Sequence, residues 1–244
     1  MPVHGRPALN VRLVLAGSRN ATPDIRRPLP LAKGKLGYMT DCFEGIIDRF
    51  LLSCSEFERT LQPVRPEQWV WPTPCTEWNV RQLVNHVTRG NLNYANLVEG
   101  ASAAAFLRLR EVDALDGDPV GAFARSVSTC AEAFARPGAL RRELDYPLGR
   151  VVARQALAVR TTDTTIHTWD LARSVGAEET LDPGLVAWID DHLDEIYAGL
   201  SETPRAPDTT HRFFAAPRAG SNDDAPQQDR LLRQMGRTPD RTGR

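Results

Sequence analysis

The sequence predicts an all-α protein, a bundle of four to five packed helices, and three observations carry that expectation. Apolar residues recur every three to four positions through five separate stretches. Three of those stretches open on side chains suited to capping a helix start. No internal repeat and no convincing strand pair is legible, so helix-on-helix packing is left as the architecture.

The first helix is read from Met39 to about Leu61, where Phe43, Ile46, Ile47, Phe50, Cys54, Phe57 and Leu61 form one amphipathic stripe. Pro63, Pro66, Pro72 and Pro74 then forbid regular helix, which makes 63–76 a loop packed down by Trp69, Trp71 and Trp78. Asn79, followed three residues later by Gln82, reads as a capping box for a second helix from about Val80 to Glu99. Its stripe of Leu83, His86 or Val87, Gly90, Tyr94 and Leu97 places His86 on the buried face.

Asp118-Pro119 starts a third helix, because the aspartate accepts from free backbone N–H groups and proline is tolerated in the first turn. Pro137 and Gly138 end it. A fourth helix runs from about Val151 to Val175 and closes on Gly176. Asp182-Pro183 repeats the start signal for a fifth helix ending near Leu200. Residues 201–244 are read as an irregular tail that packs on the bundle through Phe213-Phe214 and Leu231-Leu232.

Charge divides the chain differently. Residues 1–38 carry seven bases against one acid, a net of +6, whereas the remainder carries −7. The first 38 residues are also proline-rich and lack a helical period, so they are read as a disordered basic extension, either ahead of a natural start at Met39 or an authentic arm of the protein; residues 39–200 are read as the bundle. The overall net charge of −1 offers no electrostatic case for nucleic acid or an anionic membrane. No apolar run approaches the roughly 18 to 20 residues of a membrane span, and no secretory signal is legible. Cys42, Cys54, Cys75 and Cys130 are widely spaced, which fits reduced thiols in a cytoplasmic protein better than a zinc ribbon or a disulfide framework.

The fourth helix carries the chemistry. Asp163, His167, Asp170 and Ser174 fall at i, i+4, i+7 and i+11 on one face, flanked by Val159, Ile166 and Leu171. Burying an ionisable stripe is costly unless its members are hydrogen-bonded, ion-paired or bound to metal. An acid and an imidazole one turn apart are able to chelate one ion, with His86 as the third ligand from another core-facing stripe. On spacing alone, a satisfied core histidine and a plain Asp–His hydrogen bond remain open as alternatives.

Three segments add a resemblance. Residues 71–86 (WPTPCTEWNVRQLVNH), 163–172 (DTTIHTWDLA) and 225–239 (APQQDRLLRQMGRTP) resemble the DinB/YfiT-like superfamily. More narrowly, they resemble the metal-binding group related to the N-terminal domain of mycothiol-dependent maleylpyruvate isomerase. The resemblance implies a DinB-like four-helix bundle with a long crossover, holding a divalent metal, zinc or nickel; the fifth helix read above is then an additional C-terminal helix. Carried over by position, the metal ligands are His86, Asp163 and His167. The family more often has Glu, or His in the DinB branch, where Asp163 stands, and the shorter arm implies a looser site or one that leans on a water. Asp170 is implied to be a supporting partner.

The resemblance further implies a mycothiol-dependent S-transferase or isomerase-like enzyme acting on a small electrophile, cytoplasmic, and a homodimer in many members. Maleylpyruvate isomerase activity itself is not expected, because the residues past the fifth helix are too few for the further C-terminal domain that enzyme carries. The alternatives are a non-enzymatic metal or small-molecule binding protein and a purely structural bundle.

Overall fold

The computed structural model describes residues 41–110, 112–200 and 225–239. The 1–38 extension, Met39 as a start and the Phe213-Phe214 piece of the tail lie outside the described residues. Eight helices follow one another among them: α1 (Ile46–Leu61), α2 (Val80–Val98), α3 (Ala103–Leu109), α4 (Pro119–Ala135), α5 (Ala153–Val175), α6 (Pro183–Asp191), α7 (Leu193–Ile196) and α8 (Gln227–Gln234). Helices α1, α2, α4 and α5 make the bundle: α1 packs on α4 and α5, and α2 packs on the same two. No helix of the described residues is long and apolar enough to cross a membrane.

The start signals work as the sequence implies. Asn79 Oδ1 accepts from Gln82 N at 2.9 Å while Gln82 Oε1 accepts from Asn79 N at 2.9 Å, which closes the capping box of α2. Asp118 Oδ1 accepts from Gly121 N at 3.0 Å and Asp182 Oδ1 from Leu185 N at 2.9 Å, starting α4 and α6. Gly176 ends α5 at φ 74°, a left-handed conformation that glycine adopts without strain.

Helix α5 is the most extensively buried of the described helices. Every side chain from Ala156 to Ala172 is buried, although many are polar. The threonines make this tolerable by bonding back along their own helix: Thr161 Oγ1 donates to Leu157 O (2.8 Å), Thr162 to Ala158 O (3.0 Å), Thr165 to Thr161 O (2.9 Å) and Thr168 to Thr164 O (2.9 Å). Those four hydroxyls are satisfied within the helix, whereas the buried Thr164 Oγ1 has no hydrogen-bond partner among the described residues.

Five expectations are corrected. First, α1 begins at Ile46 and not at Met39, because Gly45 sits at φ 68° and residues 42–45 form a turn; Phe43 still packs on the core from that turn, which is why the apolar period ran on past the helix. Second, a strand pair exists: β1 (Glu143–Tyr146) and β2 (Gly149–Val152) form an antiparallel hairpin with Tyr146 opposite Gly149. Leu144 and Tyr146 point inward and Glu143 and Asp145 outward, an alternation too short to be legible beside the longer helical periods.

Third, the expected fifth helix breaks at His192 into α6 and α7, where Gln155 of α5 donates to the carbonyls of Ile196 (3.3 Å) and Ala198 (2.7 Å) and pulls the second piece onto the bundle. Fourth, part of the tail read as irregular is helix α8, whose Leu231 and Leu232 are fully buried. Fifth, Trp71 does not pack the 63–76 loop down: its backbone is anchored, by Trp71 N to Gln68 O and Val80 N to Trp71 O, but the residue stays 37% exposed. That loop also contains a 3-10 turn, Pro66–Val70, tied to the end of α5 by Gln68 Nε2 donating to Val175 O at 3.0 Å.

Candidate metal centre

Two helices and one loop meet at the site. α2 presents His86, α5 presents Asp163 and His167 one turn apart, and the loop before α2 presents Trp78 and Cys75. Thr73 shapes that loop, accepting from Cys75 N (3.1 Å) and donating to the carbonyls of Cys75 (3.0 Å) and Trp78 (2.8 Å). The Trp78 ring then lies over both imidazoles, 4.6 Å from His86 and 5.9 Å from His167 between centroids.

The sequence-predicted residues do converge. His86 Nε2 lies 3.4 Å from Asp163 Oδ2, and His167 Nε2 lies 3.4 Å from Asp163 Oδ1. One ligand atom from each of the three falls within 4.8 Å of the others. Bonds of about 2.0–2.1 Å at tetrahedral angles place ligand atoms roughly 3.3–3.5 Å apart, a spacing that the two imidazole–carboxylate separations match, each to a different oxygen of Asp163. His86 Nε2 is buried yet makes no hydrogen bond among the described residues. A buried ring nitrogen without a partner is an unmet demand that a metal ion would satisfy.

Charges tune the three differently. Burial pushes the His86 imidazole down to about 4, outweighing the attraction of Asp163, so its ring is neutral near pH 7. His167 feels the same burial, but the carboxylates of Asp163 and Asp170 hold its proton well above the usual imidazole range. Asp163 stays ionised far below the usual carboxylate range, because His167, Arg160 and His86 together overcome its desolvation.

Sequence reasoning missed three participants. Arg160, one turn before Asp163, is 2% exposed and donates to Asp163 Oδ2 (2.6 Å), Asn91 Oδ1 (2.9 Å) and Val87 O (2.8 Å). Its i−3 position on the ionisable stripe was the available signal. Gly90 makes room for it, since a Cβ there would lie 2.8 Å from the guanidinium carbon and closer still to Nη1. Arg237, just after α8, clamps Asp170 with Nε to Oδ1 (3.0 Å) and Nη2 to Oδ2 (2.6 Å), a long-range pairing with no local signal. Cys75 Sγ lies 3.5 Å from Asp170 Oδ2 and 3.3 Å from Arg237 Nη2.

Asp170 itself accepts from His167 Nδ1 at 2.8 Å, and Ser174 turns away from the cluster to donate to Asp170 O at 2.6 Å. Cys75, His167 and Asp170 form a second group of suitable ligand atoms, but Arg237 already supplies their cation.

Comparison with known proteins gives this geometry a context. The family model described as the mycothiol maleylpyruvate isomerase N-terminal domain matches residues 50–172, half of the chain, which include His86, Asp163 and His167. Two uncharacterized proteins, from two strains of Mycobacterium tuberculosis, are each 36% identical over 129 residues, 53% of this chain and 66% of theirs. The match thus spans just under two thirds of those relatives' length. A crystal structure of a point mutant of the mycothiol-dependent maleylpyruvate isomerase aligns with a TM-score of 0.50 and 18% identity over 62% of this chain and 71% of that one, a likeness of fold.

Proposed function

The chain belongs to the mycothiol maleylpyruvate isomerase N-terminal domain family, and from that premise we propose that it is a thiol-dependent isomerase- or transferase-like enzyme whose His86, Asp163 and His167 hold a divalent metal, zinc or nickel. The observation that carries the reading is the partnerless Nε2 of His86 facing the Asp163–His167 pair. Two imidazoles and one carboxylate leave coordination positions open, so a bound ion would supply Lewis acidity and hold a low-molecular-weight thiol, mycothiol in this family's name, as thiolate at neutral pH.

The protein's own residues prepare that site. His86 offers a lone pair because burial keeps it neutral. Asp170 accepts from His167 Nδ1 and so leaves the other ring nitrogen directed at Asp163. Arg160 takes one oxygen of Asp163 and leaves Oδ1 toward His167. The Trp78 ring shields the imidazoles on one side, which limits water there. Attack of the thiol on a small electrophile would then take place beside charged groups that are already oriented.

A second reading has one observation in its favour: the Arg160–Asp163 ion pair gives the carboxylate a cation without any metal. It makes the chain a non-enzymatic binding protein. Purified protein assayed with mycothiol and a thiol-reactive electrophile, with and without a chelator, separates the two. The enzyme reading expects about one metal per chain, turnover that chelation abolishes, and metal loss in His86→Ala and His167→Ala. Turnover untouched by chelation, or full metal content in both variants, would overturn it.

A further inference from the structure

We infer that Arg237 is a positioning residue for the metal centre: its clamp on Asp170 holds the His167 imidazole in the orientation that commits Nδ1 to Asp170 and leaves Nε2 as the ring nitrogen facing Asp163 and His86. The inference rests on the metal reading above and adds to it a residue far from the three ligands in sequence.

The path is continuous and every link is short. Leu231 and Leu232 of α8 are fully buried and anchor the segment by removing apolar surface from water. Gln228 fastens the same segment by accepting from Leu181 N (2.8 Å) and donating to Glu179 O (3.0 Å). Gly236 at φ 78° then turns the chain, so that Arg237 N donates to Leu232 O (2.7 Å) and the side chain points back into the bundle. There Nη1 donates to Met235 O (2.9 Å), Nη2 to Cys75 Sγ (3.3 Å), and the Nε and Nη2 edge meets both oxygens of Asp170.

This two-point clamp decides a hydrogen-bond direction. Asp170 is fully buried, and a guanidinium has only donors, so both carboxylate oxygens are committed as acceptors. The 2.8 Å contact between Asp170 Oδ2 and His167 Nδ1 must therefore run from N–H to oxygen. With Nδ1 committed as the donor to Asp170, Nε2 is the ring nitrogen left beside Asp163 for an ion. An arginine kept for packing alone needs neither both oxygens nor an oxygen shared with the histidine.

The test compares wild type, Arg237→Met, Arg237→Lys and Asp170→Asn, each checked for cooperative unfolding, by zinc affinity against a competing chelator and by long-range 1H–15N NMR of the zinc-loaded protein. Zinc binding weakens roughly 10- to 100-fold in Arg237→Met, the usual consequence of losing support for a ligand. Arg237→Lys, which keeps the charge but not the fork, recovers part of it. Asp170→Asn, whose amide is able to donate to Nδ1, loses at least as much as Arg237→Met. The His167 Nδ1 proton, slow to exchange in the wild type, exchanges faster in Arg237→Met. A folded Arg237→Met with wild-type zinc affinity and an unchanged Nδ1 proton overturns the inference alone. Wild-type protein that binds no zinc overturns the metal reading and this inference with it.

Discussion

Asp163 and Asp170 sit seven residues apart on one face of α5, equally buried, on opposite sides of the same imidazole, and they are finished to different degrees. Asp170 has every contact a buried carboxylate needs: two donors from Arg237, one from His167 Nδ1, and Cys75 beside it. Asp163 has one strong donor, Arg160 at 2.6 Å, while both imidazoles stand off at 3.4 Å. The difference separates a carboxylate that builds a site from one kept in reserve within it. Burial alone does not mark a ligand; unspent bonding capacity does.

The largest effect that would sharpen this contrast is on stability. Asp170→Ala strands the buried Arg237 guanidinium and should cost about 3–5 kcal/mol in urea unfolding. Asp163→Asn should cost less, about 1–3 kcal/mol, because the amide oxygen still accepts from Arg160, which also keeps Asn91 and Val87 O. Equal losses for the two would break the comparison.

Acid titration reads the same contact more gently. Despite its burial, Arg237 and His167 hold Asp170 well below the usual carboxylate value, so its folded pKa is depressed relative to the unfolded chain. Its stabilisation is then complete above about pH 4 and fades as the pH falls below that toward the folded value. The gap in unfolding free energy between wild type and Asp170→Asn should accordingly be constant at higher pH and narrow below about pH 4; a gap that widens on acidification would contradict the pairing.

Gly90→Ala tests the Asp163 side through its support. The added methyl meets the Arg160 guanidinium, which must shift, at a cost of about 1–3 kcal/mol and with weaker metal retention, as metal analysis and thermal melting would record. The smallest stability effect belongs to His86→Ala, about 1–2 kcal/mol, since the ring leaves its packing on Trp78 but Nε2 has no hydrogen bond to lose among the described residues. That variant should nonetheless lose its metal. Unfolding and metal content measured on the same preparation would show whether the two properties separate.

Much of the fold was legible because its signals are local. The capping side chains of Asn79, Asp118 and Asp182, the glycine that ends α5 and the apolar stripes of α1 and α2 act within a turn or two of themselves. The β1–β2 hairpin, the break at His192 and helix α8 were not legible, since each depends on what the rest of the chain offers to pack or bond against: an inward slot for Leu144 and Tyr146, the Gln155 amide, and the groove that receives Leu231 and Leu232.

The site divides along the same line. Helical spacing by itself placed Asp163, His167 and Asp170 on one face, because 3.6 residues per turn is a property of the backbone and needs no neighbour. Only the tertiary structure decided that His86 faces the Asp163–His167 pair, that Arg160 lies against Asp163 in the space beside Gly90, and that Arg237 crosses from α8 to close on Asp170. Those partners come from separate helices, and their pairing is fixed by how buried charges are neutralised when the helices meet, a condition that no single segment of sequence contains.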